Sequence, residues 1–169
     1  MYETSEQVAA MQALIDESMR SASKQLQGIA RPDRRLSAEQ VIEVLRGKRQ
    51  MAVATTSARG EPRVSPLDVL LLRAEFFFCT SQTAAKVKHL RNNPAVSLAY
   101  IDSDVVGITV HGRAVLHEWG DPAFGDLDQE FLTVYGGTPS TEAEGVVFIE
   151  VIPERLYTFD RRAEVAAQT

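Results

Sequence analysis

The residues best suited to chemistry in this sequence fall in one run, Cys79-Thr80-Ser81-Gln82-Thr83-Ala84-Ala85-Lys86-Val87-Lys88. Hydroxyl-bearing residues close a stretch that reads as a strand, and a helix is expected directly after them, over residues 83–92. The first turn of a helix leaves backbone N–H groups unpaired, and the macrodipole adds partial positive charge there. Ala84 and Ala85 let an anion approach closely, and Lys86 falls within that first turn. Thr80, Ser81 and Thr83 carry hydroxyl donors, so the run has the makings of a phosphate site. Arg63, expected on the neighbouring strand, can close such a site from across the sheet. The same residues also fit an ordinary helix start, capped by Ser81 or Thr83, with solvated lysines.

Charge distribution bears on the choice. The chain of 169 residues has a net charge of −5 and a pI of about 5.2, which argues against a nucleic-acid binder. Between Arg46 and Arg91 there are nine basic residues and three acids, so that segment is +6 inside an acidic protein. A local basic block suits a small anionic ligand better than a long polyanion. No apolar stretch approaches the roughly 20 residues of a membrane span. The opening Met-Tyr-Glu-Thr-Ser-Glu is unlike a secretory signal, so the expected compartment is the cytoplasm.

Other chemistries lack their residues. The single cysteine, Cys79, precludes an intrachain disulfide and leaves no zinc-type cluster; within its apolar run it reads as buried and inert. His89, His111 and His117 are the only histidines, and they read as surface or packing residues. Asp126, Asp128 and Glu130 read as a solvated helix face rather than an acid–base pair, and Trp119 and Tyr135 as loop packing rather than as rings stacked on a ligand.

The elements that must position the candidate run are mostly strands. An amphipathic helix is expected over 4–27, from Val8, Met11, Ile15, Met19, Ala22 and Leu26, with Gly28 as its stop. Residues 29–36 read as a linker. A second helix opens at Ser37, with Gln40 completing a capping box and Gly47 ending it. Strands follow over 51–56, 63–72, 75–80, 95–101 and 105–116. A helix over 121–135 and a loop over 136–140 lead to a last strand, 146–159, interrupted by Pro153. Pro66 marks an edge or a bulge, because proline has no N–H for the ladder. This order favours a sequential antiparallel meander closed into a barrel.

The pieces Met51-Ala52-Val53-Ala54-Thr55-Thr56, Arg59-Gly60-Glu61-Pro62, Arg63-Val64-Ser65-Pro66, Phe78-Cys79-Thr80-Ser81, the run 86–90, Asn92-Asn93-Pro94-Ala95-Val96-Ser97-Leu98 and Val110-His111-Gly112-Arg113-Ala114 occur in the order and spacing of a known core. The span 51–116 resembles the flavin-binding core of the pyridoxamine-phosphate-oxidase-like superfamily. The resemblance implies a mainly β (α+β) fold, a split β-barrel of antiparallel strands with flanking helices. The expected division is a helical extension over 1–47, the barrel over 48–162 and a tail over 163–169. It also implies a homodimer with the cofactor in a groove between subunits. Arg63, Val64 and Ser65 would line the cofactor, Thr80 and Ser81 would approach it, and Lys86 would hold its phosphate. Family members often carry an arginine just before that lysine; this chain has Ala84 and Ala85, so Lys88 or Arg91 would substitute. His111 lies near where the second subunit offers the ring a polar contact. The implied cofactor is FMN, with coenzyme F420 as the alternative and haem in some branches. The implied activity is hydride transfer between cofactor and a small organic substrate, the alternative being a non-catalytic flavin carrier, stress protein or sensor. The C-terminal Pro153-Glu154-Arg155-Leu156-Tyr157-Thr158-Phe159 resembles the oxidase's substrate signature only loosely, so pyridoxine phosphate is not the expected substrate.

Overall fold

Two capping boxes open the chain's helical part. Thr4 accepts from the Gln7 N–H while the Gln7 side chain accepts from the Thr4 N–H, starting α1 (Ser5–Arg20); Ser37 and Gln40 do the same for α3 (Ala38–Val44). The computed structural model describes residues 3–103, 105–137, 139–142 and 145–167. The single helix expected over 4–27 is two. Ser21 ends α1 by donating its hydroxyl back to the Glu17 carbonyl, and Ser23 caps α2 (Lys24–Ile29) by accepting from the Leu26 N–H. Three residues with local hydrogen-bonding options (Ser21-Ala22-Ser23) thus outweigh the apolar period. A single 3-10 turn, Pro32–Arg34, occupies the expected linker. α3 stops at Val44, before Gly47, whose φ of +70° serves the turn into the first strand.

The strands are β1 (Arg49–Thr56), β2 (Pro62–Leu72), β3 (Glu75–Ser81), β4 (Ala95–Asp102), β5 (Val106–His117) and β6 (Val146–Asp160). They form a closed antiparallel barrel in the order β1-β2-β3-β6-β5-β4, rather than the sequential meander expected. The helix α4 (Ala85–Asn92) is the reason: it carries the chain from β3 past β1, so β4 pairs with β1 and β3 with β6. Alternation sorts the side chains. Met51, Val53, Phe76, Phe78, Leu98, Ile108, Val110, Ile149 and Leu156 fill the barrel. Helices α1 and α3 plug it, since Met11, Ile15, Val41 and Leu45 belong to the same buried cluster. Ser18 on α1 accepts the Leu156 N–H inside this contact, at 2.9 Å.

A second core lies outside the barrel wall. There α5 (Phe124–Tyr135) packs Phe124, Leu127 and Phe131 over Leu70, Leu72, Phe77 and Phe148. It begins three residues later than expected, because Asp121 turns back to accept the Ala123 N–H at 2.8 Å. A short α6 (Pro139–Glu142) occupies part of the expected loop, and α7 (Arg162–Ala166) part of the expected tail. Pro153 does not break β6; the ladder shifts register opposite His111 and Gly112 instead.

One pairing opens the barrel. β2 matches β1 along Pro62 to Val69, yet it meets β3 only from Leu70 to Leu72. The far half of β3, Phe78 to Ser81, pairs only with β6. Pro66 therefore sits on a stretch of β2 with one neighbour, the edge its lack of an N–H demands.

A candidate ligand cleft where the barrel splits

The parting of β2 from β3 leaves a cleft of about 480 Å³. One wall is β2 with its neighbour Gln50, through Pro66, Leu67 and Asp68; the other is Cys79, Thr80 and Ser81 of β3. Phe131 and Tyr135 of α5 close it, with Gly137, Pro139 and Val146. Asp128 holds the segment after α5 in place, accepting from the Ser140 N–H at 3.2 Å and from its hydroxyl at 2.5 Å. Asp128 is thus half-buried and engaged, not part of a solvated face.

The lining is apolar with a polar rim, the usual make-up of a small-molecule site. Asp68 is the only formally charged residue among the described lining residues. Its Oδ2 lies 3.5 Å from Lys48 Nζ, and that ammonium stands 5.1 Å from the centre of the Tyr135 ring. Tyr135 in turn stacks parallel on Phe131, centres 5.5 Å apart. Burial, then the nearby charges of Asp68 and Cys79, push the Tyr135 phenol above its ordinary range, so it stays a hydrogen-bond donor. Cys79 is half-exposed on the cleft wall rather than buried.

The helix after the cleft starts without a side-chain cap. α4 runs from Ala85, with Ala84 at the N-cap, and no side chain accepts its first-turn N–H groups. Neither Ser81 nor Thr83 caps it: Ser81 Oγ instead accepts the Thr83 N–H at 3.3 Å, and the two hydroxyls pair at 2.8 Å. Thr55 and His89 Nδ1, 3.0 Å apart, tie α4 to β1.

The expected site residues fall into three places. Thr80 and Ser81 line the cleft. Lys86 and Lys88 ride on α4 beyond it. Arg63 is exposed and pairs with Glu61 at 2.6 Å; because it stands opposite Thr55, it projects on the side of the sheet where α4 lies. Val64, 65% exposed, and His111 are on the outer wall, where His111 Nδ1 meets Ser97 Oγ at 2.8 Å. Ser65, opposite Val53, is half-buried. Asp68 and Phe131 are not singled out from the sequence as ligand contacts, and Tyr135, read there as loop packing over ligand stacking, ends α5 and lines the cleft. A carboxylate inside the run Leu67-Asp68-Val69-Leu70, and two aromatics one helical turn apart, are the signals that mark them.

The third histidine anchors α5 instead. His117 Nε2 lies 2.7 Å from Glu150 and its Nδ1 3.2 Å from Asp121. Beside them Glu75 is pushed up to about 7, first by burial and then by hydrogen bonding to Glu150. Among the described residues, no group of three or more His, Cys, Asp or Glu is arranged to hold a metal ion.

A family model described as pyridoxamine 5'-phosphate oxidase matches residues 37–160. The chain belongs to this family. The match runs from Ser37, the cap of α3, to the last residue of β6, and so takes in the whole barrel and the cleft. Solved structures with the same fold include a conserved hypothetical protein from Mycobacterium tuberculosis, at 19% identity and a TM-score of 0.68, covering 80% of this chain and 91% of that one. An F420 reductase follows at 22% identity and 0.55, covering 68% and 94%. HutZ, the haem storage protein of Vibrio cholerae, aligns at 20% and 0.58, covering 74% and 95%. None of the curated proteins matches the chain. These likenesses establish the split-barrel fold of the pyridoxamine 5'-phosphate oxidase family, a fold that serves proteins of different function. Among the described residues no helix is long and apolar enough to cross a membrane.

Proposed function

We propose that the chain binds a flavin, FMN first and coenzyme F420 as its alternative, and moves a hydride between that cofactor and a small organic molecule. The observation that carries this reading is the uncapped start of α4, three residues beyond cleft-lining Ser81. The Val87 N–H turns back to the Ala84 carbonyl at 3.0 Å, but no side chain caps the first turn, and a phosphate would supply that cap at the positive end of the helix. A cleft of about 480 Å³ with aromatic and aliphatic walls is of the size and character that take a flat ring. Lys86, Lys88 and Arg63 would hold the phosphate, while Val64, Ser65, Thr80 and Ser81 would line the cofactor. The bound cofactor supplies the hydride chemistry. The chain's own residues position the reactants and keep water out, Phe131 and Tyr135 from one side and Leu67 from the other.

A homodimer belongs to the same proposal. On the outer wall, Val64, Ala54, Ser97 and His111 stand side by side, as do Pro66, Ala52, Ala99 and Thr109. This face is broad, composed mainly of small residues, and includes exposed Val64 and Ile101. A second copy packing there would cover that apolar surface and bring His111 into the interface. The compartment that fits such a reading is the cytoplasm.

Titrating the full chain with FMN and with F420 while following cofactor fluorescence tests the cofactor. Binding of one, weakened at least about tenfold when Lys86→Ala is combined with Arg63→Ala, is expected; unchanged affinity in that variant overturns the phosphate assignment. A non-catalytic carrier is the second reading. It is favoured by a cleft whose only charged lining residue among those described, Asp68, has no histidine partner there to exchange protons with. A flavin-loaded protein that no donor reduces and no acceptor reoxidises would establish it.

A further inference from the structure

A second cavity, of about 320 Å³, lies at the seam of the two cores, and none of its lining residues lines the cleft. Alternation along the end of β2 makes the seam. Leu70 and Leu72 turn to the core under α5, and Leu71 turns to the barrel. With Ile42 of α3 and Val134 of α5 they give the cavity aliphatic walls, with no aromatic ring among the described lining residues. Close-packed interiors leave few voids larger than a water molecule, and side chains facing a void forfeit their dispersion contacts. A branched alkyl chain restores those contacts. The mouth is charged. Arg46 lines it, and its exposed guanidinium is paired with the exposed Glu43. Lys48, two residues on, is engaged with Asp68. Glu3 also lines the cavity; it is half-buried, and no hydrogen bond or ion pair among the described residues takes up its carboxylate. Once Arg46 and Glu43 offset each other, one carboxylate is left beside an aliphatic hollow.

We infer that this cavity binds a primary ammonium carried on a short, branched aliphatic chain. The chain lies against Leu70, Leu71, Leu72 and Val134, and the ammonium meets Glu3 at the mouth, its remaining donors turned to water. An alcohol of the same shape buries the same chain without the charge. A carboxylate of that shape sets a second negative charge against Glu3, while the guanidinium that could offset it is shared with Glu43. Two sources carry the required chemistry, a free alkylamine and an aliphatic α-amino acid. The added carboxylate of the amino acid would draw on the guanidinium donors of Arg46 that Glu43 leaves free.

The test titrates isoamylamine, isoamyl alcohol, isovalerate and leucine into the methyl-labelled full chain and follows methyl chemical shifts. Isoamylamine is expected to move the methyl resonances of Leu70, Leu71, Leu72 and Val134, and to bind roughly tenfold more tightly than the alcohol or the acid. Leucine binding more tightly than isoamylamine assigns the site to amino acids, and the reverse order to free amines; either order supports the inference. Glu3→Gln should bring amine and alcohol within about threefold of each other. Val134→Phe, which grows into the cavity from a half-buried position, should weaken both at least about tenfold, its fold verified from the same spectra. No binding of isoamylamine up to about 20 mM, equal or tighter binding of the alcohol or the acid, an amine preference that survives Glu3→Gln, or unchanged binding in Val134→Phe overturns the inference. It does not rest on the flavin reading, because the two sites share no lining residue, so either can fall while the other stands.

Discussion

Gly112 shows how little room a single position can leave. Where β6 shifts register past Pro153, a Cβ on Gly112 would stand 2.2 Å from the Ile152 carbonyl oxygen and 3.0 Å from its carbon. Backbone cannot yield there as a flexible side chain would, so Gly112→Ala should lower stability by about 2–3 kcal/mol, measured by chemical denaturation. Ser18 is a second such position. Its hydroxyl is the acceptor for the buried Leu156 N–H, and Ser18→Ala should cost about 1–3 kcal/mol by leaving that donor without one. Neither residue is conspicuous in the sequence. Gly112 sits in the strand period like its neighbours, and Ser18 falls among the apolar positions of α1 as a small polar exception. What makes each matter is a partner far along the chain, Ile152 for Gly112 and Leu156 for Ser18, which local pattern does not encode.

Among the elements, α5 begins beside a carboxyl whose protonation bears on stability. Its entry is tied to the barrel through Asp121, His117 and Glu150, with Glu75 and the Arg73 charge beside them. Glu75 is raised to about 7 in the folded chain from an ordinary 4.5. A raised carboxyl contributes stability that is fully present below about 4.5 and is lost as pH rises through about 7. Exposure and solvent screening reduce the effect to on the order of 1 kcal/mol. Glu75→Gln should therefore flatten the stability profile between those pH values and leave the variant the more stable of the two at pH above 7; an unaltered profile by thermal melts would show that the carboxyl pair is not sharing a proton. The sequence told well where strands and capped helices begin, because alternation and capping boxes are local. It misplaced the starts of α4 and α5, where Ser81, Thr83 and Asp121 spend their oxygens on turns rather than on helix caps.

For the whole molecule, the barrel was legible and its strand order was not. Six apolar-alternating segments announce a closed sheet, but nothing local says that α4 will cross β1 and exchange the neighbours of β3 and β4. The strand end and helix of the proposed phosphate run were legible for the same local reason, while the cleft beside them arises from two strands parting, a relation between segments. Assembly is predicted at this scale: the full chain should sediment as the proposed dimer and Ala52→Arg on the outer wall as a monomer, with the barrel's melting temperature little changed because that side chain faces outward. The parted half of β2 has one more consequence. From Pro62 to Asp68 it pairs with β1 alone, which in most sheets would be a template for a stray strand from another molecule. Proline at 62 and 66 removes two of the donors such a strand would need. The opening that gives the protein its cleft is thereby kept from seeding aggregation, and a Pro66→Val chain should form thioflavin-positive aggregates at concentrations where the natural sequence stays clear.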